Sequence, residues 1–197
     1  IAALAGLTKE KEMPEAEKAE IVMSPISFTN TLEGDSARKR ADRVKARFVN
    51  TAMTVTLLGA VSSDAIEDGR VVSGVGGQLD LVSMAHQLPD ARAIIAVRST
   101  RRSRRRSASN IVWSYANTTV PRSLRDIIIT EYGIADVRGK SDLDTVVALL
   151  AITDTRFQAD LERKAHAAGK LEANYKPAGA RNSFERLRGV LGPARRS

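Results

Sequence analysis

The chain has 197 residues, 43% hydrophobic and 27% charged, enough for one domain with a real core and too few for two large ones. It contains no cysteine, which excludes disulfide frameworks, thiolate metal sites and cysteine nucleophiles. With His86 and His166 as the only imidazoles, a histidine-rich metal site and a Ser-His-Asp triad are both without support, and no metal is expected.

The net charge of +8 invites a nucleic-acid reading, but its distribution argues against a basic platform. Arg101–Ser107 (RRSRRRS) holds five arginines, residues 181–197 hold five more against Glu185, and the remainder is close to neutral. Aromatic residues are 4% of the chain and none lies in the arginine run, so base stacking is not supported. No apolar run approaches the roughly 18–20 residues of a membrane span. The opening IAALAGLTKEKE lacks the basic start of a signal peptide. A start on Ile1 reads as a piece of a longer, cytoplasmic protein.

In chain order, residues 1–46 read as a connecting segment from an upstream part, with Ser36–Arg47 a helix or an exposed connection. From Phe48, FVNTAMTVTLLGAV fits a buried strand ending near Gly59. A Glu-Asp-Gly turn then precedes a short Val71-Val72 strand. Asp80–Leu88 places Leu81, Met84, Ala85 and Leu88 on one helical face, and Pro89 stops it. Ala91–Val97 reads as a strand, followed by the arginine loop. Asn110–Tyr115 and Asp126–Thr130 are two more strands. Ser141 caps a helix through Ile152, and a second helix runs from about Asp154 to Gly169. Residues 47–172 thus form an α/β layered domain with a mixed or parallel sheet, followed by a basic, flexible tail over 173–197.

The peculiar stretch is VVSGVGGQLD, Val71–Asp80. A dinucleotide fingerprint needs G-x-G-x-x-G and an acid after the next strand. Here the order is Gly74, Gly76, Gly77, and that strand ends in Arg98-Ser99-Thr100, so dinucleotide binding is not supported. The spacing leaves a tight strand-to-helix turn and a nest of backbone N–H groups facing an anion or oxyanion level. Glu131 directly follows an apolar strand, where α/β sheets gather ligands; the plainer reading is a surface residue in a turn. Asn50, inside an apolar strand, must be hydrogen-bonded if buried, most simply to nearby backbone. The arginine run reads as a solvated, disordered loop, a phosphate-binding loop or a nucleic-acid tether.

SGVGGQLDLV, followed about fifty residues later by TEYGIADVRGKSD, resembles the acetyl-CoA hydrolase/transferase family, specifically its C-terminal domain. RAIIAVRST is similar to that family's strand and Ser-Thr loop, and FVNTAMTVTLLGA to its Asn-containing strand. The likeness runs from about Phe48 to Leu161, with a weaker echo at Phe28-Thr29-Asn30.

The resemblance implies a CoA-transferase-like α/β fold and an enzyme that moves coenzyme A between short carboxylic acids. Its chemistry is a glutamyl-CoA intermediate formed by covalent carboxylate catalysis. Acyl-CoA is then a substrate, no cofactor is held permanently, and a homo-oligomer is expected. By the same resemblance, the Gly76-Gly77 backbone helps form an oxyanion site and Asn50 orients the acyl group or the nucleophile. Glu131 becomes a second carboxylate. Gly74, Gln78, Ser99, Thr100, Arg104 and Arg105 fall where the family meets CoA. The family's nucleophilic Glu segment is not found in residues 1–46, where Glu33 is the nearest acid, so the nucleophile is expected on a missing N-terminal domain. The loop is also more basic than the family's. The alternative is a non-catalytic module that binds RNA or an acidic partner through the arginine loop and tail.

Overall fold

The computed structural model describes residues 24–103 and 106–176, with isolated positions at 14, 16, 19–21, 182 and 183. Two short helices, α1 (Ser27–Asn30) and α2 (Ser36–Asp42), lead into β1 (Arg47–Thr51). There follow β2 (Thr54–Thr56), β3 (Val61–Ser62), α3 (Gln78–Gln87), β4 (Arg92–Ala96), β5 (Thr100–Ser103), β6 (Arg106–Ser109) and β7 (Ile111–Val112). A 3-10 turn at Arg122–Leu124 precedes β8 (Ile127–Thr130), β9 (Gly133–Asp136), α4 (Asp142–Ala151) and α5 (Thr155–Ala167).

The main sheet runs β1-β4-β8-β9. Its first three strands are parallel, with Asn50 opposite Ile95 and Ile95 opposite Ile128, and β9 returns antiparallel as an edge. A second sheet, β3-β2-β7, branches off beside it. Phe48, Ala93, Ile95, Ile128 and Ala135 point to one face, against Val82 and Ala85 of α3, Val146, Leu149 and Leu150 of α4, and Leu161 and Ala165 of α5. Each large aliphatic side chain taken fully out of water there contributes about 1.5–3 kcal/mol.

Local signals explain the helix ends. The Ser141 side chain accepts from the Asp144 N–H and caps α4; the Asp154 side chain accepts from the Arg156 N–H and caps α5. Gly169, at φ 64°, takes the left-handed turn that closes α5.

Three expectations change. The apolar stretch from Phe48 is two strands, because the Ala52 N–H bonds to Ala96 of the first sheet while the Met53 N–H bonds to Ser62 of the second. Val71 and Val72 form no strand: Val71 makes only an isolated bridge to Ala65, and both side chains are exposed. The arginine run is an antiparallel hairpin pairing Thr100 with Ser109 and Ser103 with Arg106, so the disordered reading fails for its strands.

Candidate active site at the ends of the parallel strands

The carboxyl ends of β1, β4 and β8 open into a cleft of about 410 Å³, lined by Thr51, Ala96, Arg98, Asn110, Thr130 and Glu131 among others. Parallel strands deliver their last side chains to one edge, and that convergence places ligand sites in open α/β sheets.

Glu131 is exposed at this edge, its Oε2 accepting the Ser99 N–H at 2.8 Å. Ser99 itself is fully buried, and its Oγ accepts the Asp154 N–H at 2.8 Å. The enclosed side chain couples the end of β4 to the start of α5. Tyr132 donates its hydroxyl to Asp154 Oδ2 at 2.8 Å. Burial, then this bond to an anion, raises the Tyr132 phenol above its ordinary value. Burial pushes the Asp154 carboxyl up, but the bonds from Arg156 and Tyr132 outweigh it and hold the group below the usual carboxylate range. The residues flanking Glu131 are therefore anchored at the start of α5, Tyr132 to the buried Asp154 carboxylate and Thr130 to the Ile152 carbonyl.

Asn50 stands one residue before Thr51 of the cleft, its Nδ2 buried without a partner. A buried donor left open costs about 1–3 kcal/mol, a tension an acceptor on a ligand would relieve. The glycine turn lies beside the same strand end: Gln78, the first residue of α3, donates from Nε2 to the Thr51 carbonyl at 3.0 Å, while its Oε1 has no partner.

Gly76 holds φ 60°. Gly77 is the N-cap of α3 and brings no capping side chain, and a Cβ there would stand 2.2 Å from Asn30 Nδ2. The turn thus requires glycine for conformation at one position and for close approach at the next. The first N–H groups of any α-helix lack partners within it, so an anion or oxyanion finds donors here. Gly74 is exposed with open space around it. None of Gly74, Gly76, Gly77, Gln78 or Asn50 is among the residues lining the cleft; Gln78 reaches it through the Thr51 carbonyl and Asn50 through the chain.

Thr100 begins the hairpin, half-buried. Arg104 and Arg105 lie outside the described residues. Arg101 is exposed but tied to the paired strand, donating from Nη1 to Ser109 O at 2.6 Å and Asn110 Oδ1 at 2.7 Å. Asn110 in turn donates to the Arg98 carbonyl at 2.8 Å. This asparagine forms part of the cleft wall and escaped sequence reasoning; its sole signal is a polar residue opening an apolar strand. No group of acids and histidines among the described residues is arranged to hold a metal ion. Among the described residues, no helix is long and apolar enough to cross a membrane.

The acetyl-CoA hydrolase/transferase C-terminal domain family matches residues 11–165, beginning well upstream of Phe48. The 4-hydroxybutyrate coenzyme A transferase of Clostridium kluyveri is 33% identical over 114 residues, covering 57% of this chain and 26% of that protein. The butyryl-CoA:acetate CoA-transferase of Anaerostipes caccae is 28% identical over 153 residues, 76% of this chain and 33% of the relative. RipA from Yersinia pestis shares the fold with a TM-score of 0.62 at 24% identity, over 74% of this chain and 32% of that one. The chain spans about a quarter to a third of the length of these proteins. It belongs to the acetyl-CoA hydrolase/transferase family and corresponds to that family's C-terminal domain.

Proposed function

We propose that this chain is the C-terminal part of an enzyme that moves coenzyme A between short carboxylic acids, or releases it to water. In this reading the nucleophilic carboxylate comes from the polypeptide N-terminal to the domain. It attacks the thioester carbonyl and expels CoA thiolate, leaving a mixed anhydride. The thiolate then attacks the glutamyl carbonyl, freeing the first acid and forming glutamyl-CoA. An acceptor carboxylate reverses the two steps, while water in its place gives hydrolysis.

This chain's contribution is to bind and orient. The N–H groups at Gly76-Gly77 stabilise the negative charge that develops on the carbonyl oxygen. Asn50 Nδ2 finds its acceptor on the acyl group or the nucleophile. Glu131 lies in the cleft as a second carboxylate, and Thr100 and the hairpin arginines lie toward the CoA end. The observation that carries the reading is the position of Glu131, exposed at the ends of three parallel strands and pinned by the Ser99 N–H, in a chain of this family. The bonds of Arg101 to Ser109 and Asn110 support it over a free arginine tether for RNA.

The test has two arms. In a complete CoA-transferase polypeptide carrying this domain, Glu131→Ala lowers acyl-CoA turnover at least tenfold; unchanged turnover removes Glu131 from the site. The 197-residue chain alone shows little exchange of CoA between acyl-CoA and acetate, and robust exchange places the nucleophile within it.

A further inference from the structure

The end of the main sheet away from the cleft takes no part in the proposed chemistry. β8 runs from Asp126 toward the cleft, and β9 returns to pair Asp136 with Ile127. From Asp126 to Glu131 the chain takes five steps at about 3.3 Å each, about 17 Å. At this far end lies a second pocket of about 430 Å³, lined by His86, Arg122, Arg125, Arg138, Lys140 and Asp142 among others. Hydrogen bonding and charge are satisfied there by different groups. Arg125 donates to the Leu58 and Lys140 carbonyls, and Arg138 to the Ala85 and Ala91 carbonyls. A carbonyl satisfies a donor without cancelling its charge, so cancellation is left to carboxylates. Asp142 is shared by Arg122, Arg125 and Lys170. Asp126 is shared by Arg92 and Arg138, and Asp136 pairs with Arg92. With Lys140 exposed on the rim, six cations meet three carboxylates, a surplus of three positive charges. Asp144, the next acid along α4, binds the Ser141 hydroxyl and is not among the lining residues.

We propose that this pocket binds a small organic phosphate of two or more negative charges, at a site separate from the acyl-CoA cleft. Like charges gathered in a concave site repel one another, and its walls concentrate their field. A multiply charged anion relieves that repulsion more than a monocarboxylate does. Among such anions phosphate suits the donors, because guanidinium forks match its oxygens. Arg122 spends one Nη on Asp142, and its side chain is 56% exposed, so most of its fork is open to a ligand. Lys140 brings an exposed ammonium. His86 donates from Nδ1 to the Val82 carbonyl, which leaves Nε2 as an acceptor for a phosphate hydroxyl. The volume lies within the range of small-molecule sites and exceeds what inorganic phosphate fills, which is why the phosphate is assigned to an organic carrier. The site stands on the charge and shape of this end of the sheet and is independent of the proposed transfer chemistry.

The 197-residue chain is titrated calorimetrically with ADP, with inorganic phosphate and with acetate, all at one ionic strength. ADP is expected to bind saturably, phosphate more weakly and in competition with it, and acetate not at all. Arg122→Ser with Lys140→Ser should weaken ADP binding at least tenfold, and Lys140→Ser alone by less, while Lys140→Arg keeps it. Asp142→Asn gives a readout that a purely structural role would not move. It removes the lining carboxylate, so ADP should bind about threefold tighter even though the variant is less stable. Circular dichroism checks that each variant is folded, and Lys140→Ser, at an exposed side chain, keeps the test decisive should the double variant unfold. Absence of saturable binding by both ADP and phosphate overturns the proposal, as does an affinity indifferent to Arg122 and Lys140. A loss caused by Arg101→Ser with Arg102→Ser, and not by the pocket substitutions, moves the phosphate to the cleft and overturns it too. So does an oligonucleotide held through Arg122 and Lys140 in preference to ADP, which assigns the surface to a polyanionic chain.

Discussion

Two carboxylates bracket the same strand and do opposite things. Asp126 immediately precedes β8, is 3% exposed, and is saturated with donors. Arg92 Nε reaches it at 2.8 Å, the Ala93 N–H at 2.6 Å and Arg138 Nη2 at 2.5 Å. Glu131 immediately follows β8, is exposed, and accepts one protein N–H. The first is a charge whose every lone pair belongs to the fold; the second keeps most of its acceptor capacity turned to the cleft. A parallel sheet produces this asymmetry, since one end of its strands must be closed and the other can be left for chemistry.

The contrast breaks most visibly under Asp126→Ala. That change strips Arg92 and Arg138 of a shared partner and orphans the buried Ala93 N–H, so the expected loss is about 3 kcal/mol of stability, the lower end for breaking a buried pair. Arg92 retains Asp136, which is why the loss stays at that end. Urea unfolding checks it, and a loss below about 1 kcal/mol demotes the cluster to surface decoration. Ser99→Ala comes next. The Asp154 N–H loses its acceptor in a fully buried position, at about 1–3 kcal/mol, while the backbone N–H that holds Glu131 survives. Amide exchange should therefore accelerate at Asp154 and the neighbouring turn without displacing Glu131. Glu131→Gln, at the open end, should move stability by less than about 0.5 kcal/mol. A larger drop makes Glu131 a structural residue and weakens its assignment to the site.

How much of this could be read beforehand follows the range of the interactions. The aliphatic run of β8, the Ser141 and Asp154 caps and the turn at Gly169 are local signals, and each element stands where its signal put it. The exit of β2 into a second sheet was not legible, because it is set by Ser62 and Ile111 pairing with Thr54 and Val55, neither of which marks a change of sheet. The arginine hairpin lacks the apolar alternation that advertises strands, so its pairing was hidden by its own composition. Glu131 stood out by its place after an apolar strand, and the glycine turn by its spacing, each beside a plainer reading. The Ser99–Asp154 link did not, since it joins residues 55 apart with no pattern between them. The resemblance identified which of two evenly matched readings of the glycine turn to carry forward, and the contact of Gly77 with Asn30 supplies a packing reason that spacing alone did not contain.

A pH-dependent effect sharpens the comparison at the closed end of the sheet. Asp142 opens α4 and accepts from Lys170 at 2.8 Å, Arg125 at 3.1 Å and Arg122 at 3.2 Å. The Lys170 and Arg125 bonds hold its carboxyl down to about 2, from an ordinary value of 3.8. A carboxyl depressed by folding stabilises the fold above its unfolded value, and that contribution disappears as pH falls through the folded one. The gap in stability between the native chain and Asp142→Asn should thus be full at pH 6 and shrink between about pH 4 and pH 2. Because a quarter of the Asp142 side chain is exposed, the gap should reach only about 0.5–1 kcal/mol, and 1 M salt should narrow it further. Denaturant midpoints of the two proteins across that range decide the matter. A gap that stays constant with pH means the three cations hold α4 by geometry alone, and the closed end then depends on Asp126 for its electrostatic stabilisation.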